Sequence, residues 1–474
     1  MAPPRPHSPP LPAWAADNAL FRRHRRLLPL LLPVASFRAL LPVVSHCIVS
    51  GLGRNPFVAS RLLLASSRLS LPFSLLLLSH LPASSLSPFS FNSLIRVSPP
   101  GLALRLFDQM RHRGVPPDRY TLPFLIHACS SSDRLLCQSL HGQSLRLGYC
   151  SHLFTQTALM NAYFACGLVV AARRVFDEIQ VKDVVAWTGM VSGYVDSGLF
   201  LLGVEVFREM KGCEESVRPN VATVVSVASA CAGLGSLEYA EGLHAYVEKV
   251  GLEGELMVTN ALIDMYGKCG GIELAHGLFG LMPQKDLHSW TAMISGLASH
   301  GHGKEAVAMF LSMREAGVLP DSTTFVVVLS ACSHAGLVDE GIFIFSSMES
   351  EYKVTPDIKH YGCMVDLFSR AGLIARAYQF IDSMPFEPNL AILGALLSAC
   401  SINNELDIGE LVIKRIESVC SYKGGASVLL SNIYANQNFW HEVDSLRRKI
   451  RNDTTCRKPP GQSVIAAEVP FMGS

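Results

Sequence analysis

Similar segments recur in the sequence at an interval of about 100 residues, and this repetition constrains the fold more than any other feature. TALMNAYFACG at residues 157–167 returns as NALIDMYGKCG at residues 260–270, which is 103 residues later. TGMVSGY at residues 188–194 returns at the same interval as TAMISGL at residues 291–297. Self-similarity at a fixed period is typical of proteins built from stacked structural repeats, each of which contacts mainly its neighbours.

Each interval divides into three units of similar length. The short units have 31 residues, and the other two kinds have 35 to 37. The clearest examples are residues 153–183 and 256–286 for the short kind, residues 184–220 and 287–321 for the second, and residues 221–255 and 322–357 for the third. A repeat of this length holds one helical hairpin.

The pattern within residues 256–286 predicts two helices for such a unit. The apolar stripes are Ala261, Leu262, Met265 and Tyr266 for the first helix, and Ile272, Leu274, Ala275, Leu278 and Phe279 for the second. Cys269-Gly270-Gly271 separates them, because glycine costs about 1 kcal/mol in a helix interior. Neither helix can bury its stripe alone. The sequence therefore predicts an all-α fold, a right-handed superhelical solenoid of stacked helix-turn-helix hairpins.

The N-terminal part of the chain differs from the remainder in charge. Residues 1–107 hold 11 Arg, no Lys and one acidic residue, a net charge of +10, whereas residues 108–474 have a net charge of −9. An Arg-rich and acid-poor start is typical of an organelle transit peptide, which we assign to residues 1–34. The negative remainder predicts that any binding to nucleic acid depends only weakly on salt.

Two features of the composition admit more than one interpretation. Leu27–Ser45 is apolar enough to suggest a membrane span, but Pro29, Pro33 and Pro42 interrupt it, and we expect no membrane association. None of the 13 cysteines forms a C-x-x-C pair. We interpret them as small buried residues in a reducing compartment and expect neither disulfides nor a metal site.

The units resemble the pentatricopeptide repeat family, in the plant subclass that alternates standard, long and short repeats. The resemblance covers about residues 35–466. The short repeats are 56–87, 153–183, 256–286 and 358–389, the standard repeats are 88–118, 184–220 and 287–321, and the long repeats are 119–152, 221–255 and 322–357. The repeat at 88–118 is about four residues shorter than a standard one, so we expect a tight turn near Ser98-Pro99-Pro100.

The resemblance divides the chain into four segments. They are the transit peptide at 1–34, a tract of about ten repeats at 35–389, a helical extension of the E type at 390–466, and a tail at 467–474. The wording that matches the extension is GALLSAC at 394–400, VLLSNIYAN at 428–436 and KPPGQS at 458–463.

The resemblance also implies that a repeat reads one RNA base through its fifth and last residues. The pairs are Asn92 with Asp118, Thr157 with Asp183, Thr188 with Asn220, Asn260 with Asp286, and Thr291 with Asp321. Asn with Asp is implied to read uridine, Thr with Asp guanosine, and Thr with Asn adenosine. Asn, Thr and Asp are also ordinary N-caps at helix starts, so both interpretations stay open for each residue.

Other positions follow from the same counting. The second residue of a repeat is implied to wedge between successive bases, and it is Phe89, Phe154, Val185 or Met257, with His288 as an atypical case. Long repeats carry Pro123, Val225 and Val326 at the fifth position, and the last short repeat pairs Gly362 with Asn389. These repeats are expected to discriminate poorly between bases.

The resemblance implies a site-recognition factor for C-to-U editing of RNA in an organelle. The expected partners are single-stranded organellar RNA and a deaminase that acts in trans, supplied by another pentatricopeptide repeat protein or editing factor. A zinc deaminase needs H-x-E and C-x-x-C motifs, and the sequence contains neither. We therefore expect no enzymatic activity, catalytic residue or cofactor. The expected location is the mitochondrion, with the chloroplast as the alternative.

Two other functions remain open at this point. A factor for RNA stability, processing or splicing would use the same repeats, although the repeat order and the extension favour editing. A protein-binding helical scaffold would belong to another class. Tetratricopeptide arrays of that class need a pattern of Trp, Leu-Gly and Tyr, which this sequence lacks.

Overall fold

The computed structural model describes residues 36–129, 133–213, 217–419, 431–432, 434–435 and 439–452. Within these ranges the chain forms 24 α-helices and two short 3₁₀ turns, and it forms no strand. The chain divides into two compact units, residues 1–234 and 235–474.

The first unit contains twelve of these helices. They are α1 (Phe37–Val49), α2 (Pro56–Ser67), α3 (Leu71–His80), α4 (Pro88–Ile95), α5 (Pro100–His112), α6 (Thr121–Cys129), α7 (Arg134–Arg146), α8 (Leu153–Ala165), α9 (Val169–Asp177), α10 (Val184–Asp196), α11 (Phe200–Gly212) and α12 (Val221–Leu234). The 3₁₀ turns are Leu52–Arg54 and Ala83–Ser85.

The second unit contains the other twelve. They are α13 (Leu237–Val250), α14 (Leu256–Cys269), α15 (Ile272–Leu281), α16 (Leu287–Ser299), α17 (Gly303–Glu315), α18 (Ser322–Ala335), α19 (Val338–Ser350), α20 (Ile358–Arg370), α21 (Ile374–Asp382), α22 (Leu390–Asn403), α23 (Leu406–Val419) and α24 (Trp440–Asn452).

Within each unit the hairpins stack through their first helices. In the first unit α2, α4, α6, α8, α10 and α12 pack successively against one another, and in the second unit α14, α16, α18, α20 and α22 do the same. Helix α11, for example, packs against its own first helix, α10, and against the first helix that follows, α12. The predicted all-α fold of stacked helix-turn-helix hairpins is confirmed.

Glycines allow the chain to reverse direction between the two helices of a hairpin. Gly167 has φ +70° and Gly270 has φ +86°, a left-handed conformation that suits glycine because it has no Cβ. The next N–H, of Leu168 or Gly271, donates to the carbonyl of Tyr163 or Tyr266 at 2.8 and 3.0 Å, which closes the helix end. The predicted break at residues 269–271 is confirmed.

The same aromatic pair joins successive hairpins in both units. Phe176 meets Trp187 edge to face with ring centroids 4.9 Å apart, and Phe279 meets Trp290 in the same way at 4.8 Å. This geometry suits aromatic rings, whose positive edges attract negative faces. The pairs are 103 residues apart in sequence. The repetition of the sequence therefore reflects a repeated packing contact.

The expectation of a tight turn in the repeat at 88–118 is wrong. Helix α4 has 8 residues where its counterpart α10 has 13, so the missing length falls in the first helix. The turn that follows spans residues 96–99. Pro99 explains this difference, since a residue before proline is pushed out of the helical conformation and the helix must end earlier.

Three predictions concern segments at the ends of the chain. The transit peptide at 1–34 and the tail at 467–474 lie outside the described residues, as does part of the extension at 390–466.

In the described part of the chain, every helix is too short or too polar to cross a membrane. The prediction of buried cysteines is wrong for Cys213, which is exposed at the end of α11, and only partly right for four half-buried ones, Cys150, Cys166, Cys269 and Cys363. It is confirmed for Cys47, Cys129, Cys137, Cys231, Cys332 and Cys400. Burial raises the pKa of the Cys332 thiol to about 12.

Candidate nucleic-acid interface

The last residue of a repeat caps the first helix of the next repeat. Oδ1 of Asp183, Asp286 and Asp321 accepts a hydrogen bond from the backbone N–H three residues later, at 2.8, 2.9 and 2.8 Å. Asn220 does the same at 2.9 Å. The N-cap interpretation is thus confirmed for these four residues. It does not exclude a second role, because one carboxylate has two oxygens and several acceptor positions.

The fifth residue lies one turn inside the first helix, and in two repeats it bonds directly to the last residue. The Asn92 amide donates to Asp118 Oδ1 at 2.9 Å, and the Asn260 amide donates to Asp286 Oδ1 at 3.0 Å. The partners are 26 residues apart in both cases. The structure therefore joins the two pairs that the sequence predicted to read uridine.

In two other repeats a threonine connects the predicted pair. Thr188 Oγ1 lies 2.7 Å from Thr223 Oγ1, which donates to Asn220 Oδ1 at 3.0 Å. Thr291 Oγ1 lies 2.9 Å from Thr324 Oγ1, which donates to Asp321 Oδ1 at 2.8 Å. Thr223 and Thr324 were not predicted. The sequence feature that could have identified them is a residue with a hydroxyl group at the third position of the next repeat.

The fifth pair is not connected. Thr157 and Asp183 share no hydrogen bond in the described structure, and the third residue of the next repeat is Ala186, which has no hydroxyl group. This repeat shows what the third residue contributes. Where it is serine or threonine, it fixes the position of the polar pair, and where it is alanine, the pair lacks that connection.

Hydrogen bonding lowers the pKa of one predicted reading residue, Asp286. Burial alone would raise the pKa of Asp286, but bonds from the backbone and hydroxyl of Ser289 and from the Asn260 amide outweigh it and lower that pKa. These donors favour the charged form. Asp286 is therefore an anion at neutral pH, with its charge held beside the amide of Asn260.

The predicted wedge residues are exposed although they are apolar. Phe89 is 48% exposed, and Phe154, Val185 and Met257 are 62%, 63% and 64% exposed. Large apolar side chains that are exposed at the same position of several repeats indicate a binding surface. Tyr120 belongs to the same set, since its ring lies 6.0 Å from that of Phe154. It was missed because only standard and short repeats were counted, yet it is the second residue of a long one.

Two cavities contain both a predicted wedge residue and a predicted reading pair. The first has a volume of about 480 Å³ and is lined by Phe89, Asn92 and Asp118 among others. The second has a volume of about 720 Å³ and is lined by Val185, Thr188 and Asn220 among others. In each cavity an apolar surface adjoins hydrogen-bonding groups, which is the combination that a flat, polar-edged ring requires.

The long repeats and the last short repeat lack such pairs. Pro123, Val225 and Val326 present no hydrogen-bonding side chain. Asn389 caps α22 through Ile392 N–H at 3.0 Å, while Gly362 has no side chain to meet it. In the part of the chain that the structure describes, no group of three or more His, Cys, Asp or Glu side chains could hold a metal ion.

Family models match both the repeats and the C-terminal part. The PPR repeat model matches residues 157–184, 185–214, 258–287 and 323–352, and the PPR repeat family model matches residues 285–334. The E motif model matches residues 403–466. The E motif match lies within the segment 390–466 that the sequence analysis assigned to the extension.

Several plant proteins are similar over most of the chain. A pentatricopeptide repeat-containing protein of Arabidopsis thaliana is 35% identical, over 90% of this chain and 87% of its own length. A putative mitochondrial one from the same plant is 39% identical, over 77% of this chain and 58% of its own length. A chloroplastic one from the same plant is 38% identical, over 75% of this chain and 48% of its own length. The chain thus spans about half the length of some relatives and most of another.

The fold is similar to that of a solved protein. The crystal structure of the pentatricopeptide repeat protein PPR10 from maize aligns with a TM-score of 0.52 at 19% identity. The alignment covers 94% of this chain and 76% of that one. At this level of identity the likeness concerns the fold alone.

Proposed function

The chain belongs to the pentatricopeptide repeat family, and from that premise we propose that it binds single-stranded RNA by sequence and marks particular cytidines for editing. One observation supports the RNA-binding part most strongly. An exposed wedge residue and a hydrogen-bonding pair line the same cavity, as Phe89 does with Asn92 and Asp118. A base can stack on the first while its edge bonds to the second.

The order of pairs along the chain gives the proposed target. Read from the N-terminus, the pairs correspond to 5′-U-n-G-A-n-U-G-n-n, in which n marks the repeats with weak preference. The two uridines correspond to Asn92 with Asp118 and to Asn260 with Asp286. The edited cytidine lies a few nucleotides to the 3′ side of this element.

The extension accounts for editing in this proposal. The E motif model matches residues 403–466, which follow the repeats. To this segment the proposal assigns the recruitment of a separate deaminase. The chemistry then belongs to that partner, which holds the zinc ion and activates the water. The proposed location is the mitochondrion, with the chloroplast as the alternative, since relatives of both designations are similar to this chain.

Binding to labelled RNA tests the first half of the proposal. We expect the full chain to bind an RNA carrying the proposed element at least tenfold more tightly than an RNA with the same bases in scrambled order. A single well-paired base is worth about 1–3 kcal/mol, so several pairs easily provide this ratio. Equal affinity for both RNAs contradicts the proposal.

Sequencing of organellar transcripts from a plant that lacks the protein tests the second half. Loss of C-to-U conversion at one or a few sites downstream of the element supports editing. Shortened or unspliced transcripts with normal editing indicate a stability, processing or splicing factor instead. Unchanged transcripts together with no binding to RNA would point to the scaffold function.

A further inference from the structure

A histidine on the second helix of a long repeat contacts a tyrosine on the helix that follows, and this contact occurs in both units. His141 Nδ1 lies 2.7 Å from the hydroxyl oxygen of Tyr163. His244 Nδ1 lies 3.0 Å from the hydroxyl oxygen of Tyr266. In both pairs the rings meet edge to face, with centroids 5.7 and 5.6 Å apart. The pairs are 103 residues apart in sequence, so they belong to the repeated packing of the fold.

The two histidines differ in the group that meets their other ring nitrogen. His141 Nε2 lies 3.6 Å from Cys150 Sγ and is hydrogen-bonded to it. His244 Nε2 instead lies 3.8 Å from a carboxylate oxygen of Glu248. The residue of the second unit that corresponds to Cys150 is Glu253. The fold thus orients the same imidazole twice, and in the first of these two places it adds a thiol.

A thiol, an imidazole and a group that orients the imidazole form the arrangement by which proteins activate a cysteine nucleophile. The phenol oxygen of Tyr163 can accept from Nδ1–H of His141, and in that tautomer the lone pair of Nε2 faces the thiol. Burial raises the pKa of Tyr163 to about 12, so the phenol is uncharged at neutral pH. Burial lowers the pKa of His141, and the nearby carboxylate of Glu178 opposes this effect only in part. His141 is therefore neutral at neutral pH and can accept a proton.

Cys150 is also accessible to small molecules, unlike the thiols of the repeat cores. It is half-buried in the turn that leads into α8, whereas Cys129, Cys231 and Cys332 are buried. A thiol that is buried in apolar surroundings is inert, because the thiolate is disfavoured there. Oxidation of a cysteine depends on its thiolate character and on its exposure. Cys150 combines contact with solvent and contact with a proton acceptor.

We propose that Cys150 is a site of reversible oxidation by hydrogen peroxide, with His141 as the proton acceptor and Tyr163 as the residue that orients it. The sulfur attacks one oxygen of the peroxide, the O–O bond breaks, and a sulfenic acid, S–OH, forms. The thiol proton passes to His141 Nε2 and then to the departing hydroxide, which leaves as water. Sulfur loses two electrons, and the peroxide gains them. Two equivalents of a small thiol reverse the change and yield the cysteine, a disulfide of the small thiol and water.

Trapping of the sulfenic acid measures the reaction. The reduced full-length chain is treated with hydrogen peroxide in the presence of dimedone, and mass spectrometry follows the adduct at Cys150 and, as an internal reference, at the exposed Cys213. General-base assistance contributes about 10²–10⁴-fold in well-arranged sites, so His141→Gln should slow the labelling of Cys150 by about tenfold or more. The labelling of Cys213 should not change. His244→Gln, the same change at the corresponding position of the second unit, should alter neither rate.

The orienting role of Tyr163 has its own matched pair of variants. Tyr163→Phe should slow the labelling of Cys150 by a smaller factor than His141→Gln, because the imidazole remains and loses only its orientation, and Tyr266→Phe should not slow it. If His141→Gln and His244→Gln slow the reaction equally, a general loosening of the fold explains the effect and the proposal is wrong. The proposal is also wrong if neither variant changes the rate, or if Cys150 of the wild-type chain reacts no faster when folded than when unfolded in urea.

A gain of reactivity provides a test that leaves the site itself intact. Glu253 and His244 line one cavity of about 560 Å³ in the second unit, and Glu248 lines it as well. Glu248→Leu/Glu253→Cys gives this place the side chains of the first unit, where Leu145 corresponds to Glu248. The introduced thiol should be labelled at a rate within a few-fold of that of Cys150, and adding His244→Gln should abolish this reactivity. An introduced thiol that reacts equally fast with and without His244 overturns the role of the imidazole.

Discussion

The two Asn–Asp pairs of the molecule are alike in almost every respect and differ in one hydroxyl group. Asn92 with Asp118 and Asn260 with Asp286 have the same spacing and nearly the same bond length. In the second unit, Ser289 Oγ lies 2.7 Å from Asn260 Oδ1 and 2.9 Å from Asp286 Oδ1, so the amide oxygen is already engaged. In the first unit, Thr121 Oγ1 bonds to Asp118 only, and Asn92 Oδ1 stays unpaired.

This difference shows that the identity of the two residues does not by itself determine which hydrogen-bonding groups the pair leaves available. Uracil presents an N3–H donor on its edge, while cytosine presents an unprotonated nitrogen there. A free amide oxygen such as Asn92 Oδ1 can accept from the first and repels the second. Under the proposed function, a base at Asn260 competes with Ser289 for the same oxygen. We therefore expect the first unit to discriminate uridine from cytidine more strongly than the second.

The largest expected effect comes from removing either asparagine. Asn92→Ala and Asn260→Ala should each weaken binding to the element by about ten- to a hundredfold, because a good base contact is worth about 1–3 kcal/mol. Thr188→Ala should do the same at the adenosine position. Fluorescence anisotropy on RNAs with the matching base and with each replacement base measures this. An equal loss on all four RNAs would show that the side chains support the fold and read nothing.

The next effect concerns stability and distinguishes the two networks. Ser289 is fully buried and donates within the second network, while the backbone N–H of Asp286 donates to its hydroxyl at 3.2 Å. Ser289→Ala should lower the free energy of unfolding by about 1–3 kcal/mol, since it leaves buried groups unpaired. Urea unfolding measures this difference. Ser398→Ala is a suitable control, because that exposed hydroxyl bonds only to a carbonyl of its own helix at 2.9 Å; an equal loss there would contradict the role of Ser289.

A smaller effect should appear at low pH. The pKa of Asp286 is lowered in the folded chain, since hydrogen bonds from Ser289 and Asn260 outweigh its burial. A lowered carboxyl pKa stabilises the fold above the unfolded value of about 3.9 and loses that contribution as pH falls through the folded value. The stability difference between wild type and Asp286→Asn should thus stay constant from pH 8 to pH 5 and shrink below about pH 4. A difference that changes already between pH 7 and pH 6 would assign the effect to another group.

The fold was predictable from the sequence because packing requires the same residue types to recur after 103 residues. Phe176 with Trp187 and Phe279 with Trp290 repeat the same contact, so the same residue types recur at the same spacing. The length of α4 was not predictable in this way. The length of the repeat at 88–118 shows how many residues are missing. That they are missing from helix α4 follows from the conformation that the prolines at residues 99–100 impose on the chain before them.

The site was predictable only in part, because its residues come from two repeats at once. Counting within one repeat identifies Thr188 and Asn220 and cannot identify Thr223, which belongs to the next repeat and connects them. The same limit applies to Asn92. Its unpaired oxygen depends on the rotamer of Thr121, and sequence gives the residue type without the direction in which its hydroxyl points.

The smallest and most specific effect should follow from exchanging the two hydroxyl residues. With Thr121→Ser, the loss of the γ-methyl group frees the hydroxyl to reach Asn92 Oδ1, as Ser289 reaches Asn260 Oδ1 in the second unit. The preference for uridine over cytidine at the first position should then fall by about two- to fivefold. This ratio corresponds to less than about 1 kcal/mol, which is below the free energy of a complete base contact. Ser289→Thr should raise the preference at the second uridine by a similar factor. Competition between RNAs that differ only at one of these positions measures both changes. If the two exchanges alter preference in the same direction, the engaged hydroxyl does not explain the difference between the pairs, and the shape of the cavity around Phe89 becomes the better explanation.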